Sequence, residues 1–172
     1  MVESLTGIVQ QYGPLLFFGV GFAEFIGIPL ASVPVLVVGG GLARSAAYSD
    51  PALLIGSAAA GGLIADSVLF GLTRWKGDVM IDAACGLTSN PKSCVLLVMR
   101  RVENIGTIFV VAGKFIPGVS NLISPAAALA GKGFVYFLIP DTIALILWAG
   151  AYTLLGWLFA EDIGVVLVWV EG

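Results

Sequence analysis

The sequence predicts an all-α polytopic membrane protein, built from two inverted-repeat, re-entrant helical hairpins, each followed by a transmembrane helix. Three observations lead there. The chain has 172 residues, 59% of them hydrophobic and 11% charged, whereas soluble domains carry about 25% charged residues. Its apolar residues are gathered into long runs rather than scattered, which suits a bilayer better than water. Two of those runs are interrupted by prolines at corresponding places.

The first repeat covers residues 13–72. Between Tyr12 and Arg44 the sole charged residue is Glu24. As one straight helix, Gly13–Ala43 would be about 45 Å long at about 1.5 Å per residue, more than a simple crossing needs. Pro29 and Pro34 stand near its middle, where proline removes a backbone donor and breaks a helix. A hairpin over 13–43 is expected, the alternative being a strongly tilted or kinked span. The next run, 52–72, contains just Asp66 and has the roughly 20 residues that cross about 30 Å of hydrocarbon.

Residues 74–103 form a polar segment holding Arg74, Lys76, Lys92, Arg100 and Arg101, five of the chain's eight basic residues. The excess of Lys and Arg predicts that this segment is cytoplasmic; the expected location is the cell (inner or plasma) membrane, as a multi-pass protein.

The second repeat, 104–160, has the same design. A hairpin over 104–131 contains Lys114 as its charged residue, with Pro117, Gly118 and Pro125 as breaks and a small-residue exit, AAALAG. A span over 133–160 contains Asp141. EFIGIPLASVPVLVVGG from Glu24 and KFIPGVSNLISPAAALAG from Lys114 align as an ionisable residue, Phe-Ile, two prolines and a small-residue exit. Proline-interrupted segments in corresponding positions point to a binding site at a repeat interface, and broken backbone at membrane depth needs cover from protein or a wet cavity. Residues 1–172 are thus one membrane domain. No basic stretch precedes the first apolar run, so these segments are expected to belong to the mature protein.

Composition also excludes chemistries. There is no histidine, hence no His-based triad, no HExxH zinc site and no imidazole proton shuttle. Cys85 and Cys94 match no metal or redox spacing and read as free thiols. No nucleophile–base set, metal cluster or cofactor motif is visible, so neither enzymatic activity nor a cofactor is expected. A net charge of −3 without a basic stripe argues against nucleic acid.

Glu24, Asp66, Lys114 and Asp141 are lone ionisable residues in apolar surroundings. A charge at bilayer centre costs about 2.5–3.5 kcal/mol on insertion scales, so each needs a partner, water or a neutral state. Glu24 and Asp66 suit proton carriage, since a carboxylate shut off from water takes up a proton unless a cation holds it charged. Lys114 suits an anionic headgroup, with Ser120 and Asn121 in the following turn adding a hydroxyl and an amide. Glu24 and Lys114 also suit a structural pair between the hairpins. Asp141, directly after Pro140, reads as a cap of a continuing helix; Asp141 and Arg74 are secondary candidates. The glycine clusters at 39–41 and 61–62 read as close helix packing.

These blocks, from FAEFIGIPLASVPVLVVGGGLA through AAAGGLIADSVLFGLTRWKG and AGKFIPGVSNLISPAAALAG to FVYFLIPDTIALILWAGAYTLLGW, resemble the DedA family, also called the VTT or SNARE-associated domain family. The resemblance implies facing re-entrant hairpins and translocation of membrane lipids. Undecaprenyl phosphate or a phospholipid is the expected substrate, driven by proton-motive force. It puts the family's acidic pair on Glu24 and Asp66, and its first basic residue, usually arginine, on Lys114. The family's second arginine falls on Ser120 and a common tyrosine on Phe70, so the doubly basic phosphate clamp is not reproduced. The expected partners are membrane lipids and protons, with a homo-oligomer possible. Proton-coupled transport of a small ion or drug, and a non-transporting membrane scaffold, are the competing functions.

Overall fold

The computed structural model describes residues 2–28, 32–45, 50–77, 106–116 and 119–160, with Val2–Gln11 and Ser45 as backbone alone. Pro29, Pro117, Gly118 and residues 78–103 of the polar segment lie outside the described residues. Every regular element among the described residues is a helix: α1 (Val2–Ile26), α2 (Ser32–Ser45), α3 (Pro51–Trp75), α4 (Thr107–Gly113), α5 (Ser120–Leu129) and α6 (Phe134–Leu158). Two of them, α3 and α6, are long and apolar enough to cross a membrane.

The helices depart from expectation at three places. First, α1 starts at Val2, well before residue 13, because Glu3, Gln10 and Gln11 hide the helical run from a hydropathy reading. Second, α3 continues through Arg74 to Trp75, so the head of the polar segment is the last turn of that helix. Third, neither Pro34 nor Pro125 breaks a helix. Pro34 occupies the first turn of α2, where the missing N–H would have no intrahelical partner, and Pro125 lies inside α5. The chain instead leaves its helices at Gly27 and after Gly113.

Two helix ends carry the same stop. Gly27 follows α1 with φ 97°, and the Ile28 N–H returns to the Ala23 carbonyl at 3.0 Å. Gly131 follows α5 with φ 70°, and the Lys132 N–H returns to Ala127 at 3.1 Å. Both are Schellman-type ends, whose positive φ favours glycine.

The chain forms two compact units. One comprises α1 to Glu24, α2, α3 to Gly62 and α6 from Ile146. Here helices meet backbone to backbone. A Cβ on Gly21 would strike the Ala58 carbonyl, and one on Gly61 the Phe18 carbonyl, so α1 and α3 touch through glycine on each side. Likewise Gly40 lies on the Thr153 carbonyl and Gly156 on the Val37 carbonyl, joining α2 to α6. At the end of α6, Arg44 donates to the carbonyls of Trp157 (3.0 Å) and Leu158 (3.3 Å) and covers the Trp157 ring.

The second unit holds Phe25–Gly27, α3 from Leu63, α4, α5 and α6 to Leu145. Its core is Phe70, Val110, Ile123, Phe137 and the alanines 126–128. Phe70, standing where the family's tyrosine is expected, stacks on Phe137 with centroids 5.1 Å apart.

The glycine contacts yield a stability test. Gly40→Val and Gly156→Val drive a side chain into a carbonyl and should each cost about 1–3 kcal/mol, read as a lower thermal midpoint of the purified protein in detergent. Gly19, with open space around its Cα, is the control: Gly19→Ala should leave the midpoint unchanged or raise it, since Ala favours a helix by roughly 0.8–1.0 kcal/mol over Gly.

Candidate functional site

In the second unit, three lone charges of the sequence come together. Lys114 caps α4 in the helical conformation and begins the turn towards α5, held by bonds from Phe115 N–H to Ala112 and Ile116 N–H to Gly113. This turn carries its side chain among α3, α5 and α6. The Lys114 ammonium pairs with Asp66 Oδ2 from α3 and lies 3.0 Å from Asp141 Oδ1 of α6. All three side chains are buried. The Phe25 ring faces the ammonium, 4.3 Å from Nζ to the centroid, an attraction between cation and ring quadrupole that strengthens when water is excluded.

Asp66 has a second partner. Ser124 Oγ of α5 donates to its Oδ1. Asp66 is therefore held from two sides, by a cation and a hydroxyl. Asp141 is less engaged: neither of its oxygens has a directed hydrogen bond among the described residues, and its tie to Lys114 is electrostatic.

The expected role of Asp141 as a helix cap is corrected. The helix α6 begins at Phe134, with Pro140 and Asp141 both inside it, and Asp141 is instead a counter-ion of Lys114. Lys114 is likewise not a free cation; two carboxylates already answer its charge. Asp66 is wholly buried.

The other candidates are placed as follows. Glu24 is half-buried in the first unit and accepts a hydrogen bond from Ser32 Oγ at 2.8 Å. Ser120 is buried as the first residue of α5. Asn121 is partly buried, and its Oδ1 has no hydrogen-bond partner among the described residues. Arg74 donates to the Lys132 carbonyl at 2.7 Å and lies over the Phe70 ring, pinning the end of α3 to the entry of α6.

Two contributors escaped the sequence reading. Ser124 is one turn beyond Ser120 on the same face of α5, and that spacing was the available signal. Phe25 follows Glu24 directly, and nothing in one dimension sets it beside Lys114.

No group of acidic residues among the described residues is arranged to hold a metal ion. What the cluster can do is hold and exchange charge in an apolar interior.

All-helical among the described residues, with two helices long and apolar enough to cross a membrane and a buried lysine–carboxylate cluster, the structure fits a membrane protein of transporter-like build. Residues 28–158 match the VTT domain, and the chain belongs to that family, the DedA family. It is 28% identical over 149 residues to an uncharacterized membrane protein of Synechocystis sp., covering 86% of this chain and 67% of that relative. No solved structure matches it.

Removing one partner of a buried ion pair costs about 3–5 kcal/mol, because the remaining charge is uncompensated. Lys114→Met should therefore lower thermal stability by that order, and Lys114→Met combined with Asp66→Asn and Asp141→Asn should restore most of it. Unfolding of the purified variants in detergent measures both.

Proposed function

We propose that this protein translocates a lipid with a phosphate-bearing headgroup, such as a phospholipid or undecaprenyl phosphate, across the cell membrane, driven by the proton gradient. The observation that carries the reading is the buried Lys114 cluster at the break between α4 and α5. Stability does not require such a cluster, since well-packed apolar residues commonly serve as well or better. A lysine with two carboxylates can exchange one of them for a headgroup phosphate, and Ser120 and Asn121 follow in the adjoining turn. Asn121 Oδ1, without a partner among the described residues, adds an acceptor for a headgroup hydroxyl or amine.

Acyl chains need an apolar path, and α6 exposes one: Val135, Ile139, Ile143, Leu147 and Leu154 are exposed along it. The breaks after α1 and α4 act as re-entrant hairpins entering from opposite sides, and Glu24, bonded to Ser32 beside the first break, is the acidic group of its hairpin. Residues 74–103 face the cytoplasm on this reading. Copies of the chain are free to associate through their apolar faces, which the mechanism does not require.

The test is reconstitution in liposomes with labelled phospholipid and labelled undecaprenyl phosphate. Headgroup exposure on the far leaflet should rise with the protein present, and rise faster with an imposed proton gradient. Glu24→Gln, which retains an acceptor for Ser32, should slow it about tenfold, a barrier change of roughly 1.4 kcal/mol. Ion flux without lipid exposure would instead favour a small-ion transporter.

Topology has its own reporter in Cys85 and Cys94. In intact cells both thiols should resist a membrane-impermeant maleimide and react once the membrane is permeabilised. Labelling from outside would reverse the orientation.

A further inference from the structure

Asp66 and Asp141 share one ammonium on unequal terms. Both oxygens of Asp66 are engaged, Oδ2 by Lys114 and Oδ1 by Ser124. Asp141 has its Oδ1 3.0 Å from Lys114 Nζ, while its Oδ2 is buried with no donor among the described residues. The formal charges are one positive and two negative, leaving one negative charge uncompensated in a group shut off from water. A charge so placed is neutralised rather than tolerated, and a single proton does this.

Hydrogen-bond counting decides where the proton goes. On Asp66 it would sit on an oxygen already accepting from the Lys114 ammonium or the Ser124 hydroxyl and weaken that bond. On Asp141 Oδ2, which accepts no hydrogen bond among the described residues, it weakens none.

A cavity also lies beside this stretch of α6. It has a volume of about 120 Å³ and is lined by Thr107, Lys132 and Tyr136 together with Val110, Ala127 and Pro140 among others. Pro140 is the residue before Asp141, and Ala127 is three residues beyond Ser124 on α5. A space of this size with polar groups on its wall has room for several waters. Its charged lining group is Lys132, whose carbonyl Arg74 holds; the charged groups facing Asp141 itself are Lys114, from the turn after α4, and Asp66, from α3.

We propose that Asp141 is the residue that takes up and releases the proton in this cluster, and that water in the Thr107–Lys132–Pro140 cavity delivers it. The step is a bare proton transfer: a hydronium in the cavity gives its proton to Asp141 Oδ2 and leaves as water. Protonated, Asp141 no longer competes for Lys114, which keeps Asp66 as its one counter-ion and gains a direction open to a headgroup phosphate. This deepens the proton-coupled reading of the same site and relieves Asp66 of the proton-carrying part.

Infrared spectroscopy of the full chain in lipid vesicles tests this without any lipid transport, so its failure is separable from failure of the translocation reading. A carbonyl band of a buried carboxylic acid should grow as pH is lowered, and Asp141→Asn should abolish it. Asp141→Glu should keep the band and shift its frequency; the amide band of each spectrum checks the helical fold. A band that survives Asp141→Asn, or is absent throughout, overturns the assignment. For the route, Thr107→Phe plugs the cavity at an exposed position and should slow the deuterium-induced shift of the band severalfold; an unchanged rate overturns it.

Discussion

An ammonium ion kept from water by two carboxylates constrains the second unit more than any other contact. Lys114 stands in the turn between two short helices, Asp66 in the middle of α3 and Asp141 in the first third of α6. Each would be expensive alone in an apolar interior. The turn can therefore sit in one place, where its lysine reaches both carboxylates, and α5 is drawn in with it because Ser124 completes the coordination of Asp66. The apolar core of Phe70, Ile123, Phe137 and the alanines 126–128 packs about elements whose relative placement these charges specify. Close packing joins these elements, and the ion pair penalises placements of the turn that would leave its charges unpaired.

The other unit uses an opposite device. Its helices are joined by glycines set directly on carbonyls of the facing helix, Gly21 and Gly61 between α1 and α3, Gly40 and Gly156 between α2 and α6. Backbones that touch have no side chains to repack, so such joints hold or separate as a whole. In lipid, where apolar side chains gain little by leaving the tails, close backbone approach is a main source of helix association. The cluster around Lys114 is different in kind, because a change of charge on one member alters what the other two require.

Much of this was legible beforehand, and the residues show why the rest was not. Helix class and the two membrane-length helices follow from run lengths and apolar composition. Pairing does not: Lys114 and Asp66 are 48 positions apart, and a lone charge announces the need for a partner without naming one. Asp141 looked like a cap because proline is common in a first helical turn, yet α6 absorbs Pro140 in its interior. Pro34 and Pro125 misled in the same manner, since proline is tolerated in a first turn and inside a packed helix while the chain turns elsewhere. Ser124 lay unnoticed in a small-residue stretch that reads as packing. In each case the decisive fact is tertiary.

The length of α6 has a consequence for the surrounding bilayer. Its 25 residues span about 37 Å at about 1.5 Å per residue, against a hydrocarbon thickness of about 30 Å. Each end carries a basic anchor, Lys132 just before it and Arg44 on its last carbonyls. On the reading proposed above, in which α6 crosses the bilayer, a helix longer than that layer leans, or the layer swells around it. Thick and thin regions of one membrane would then give α6 different resting tilts.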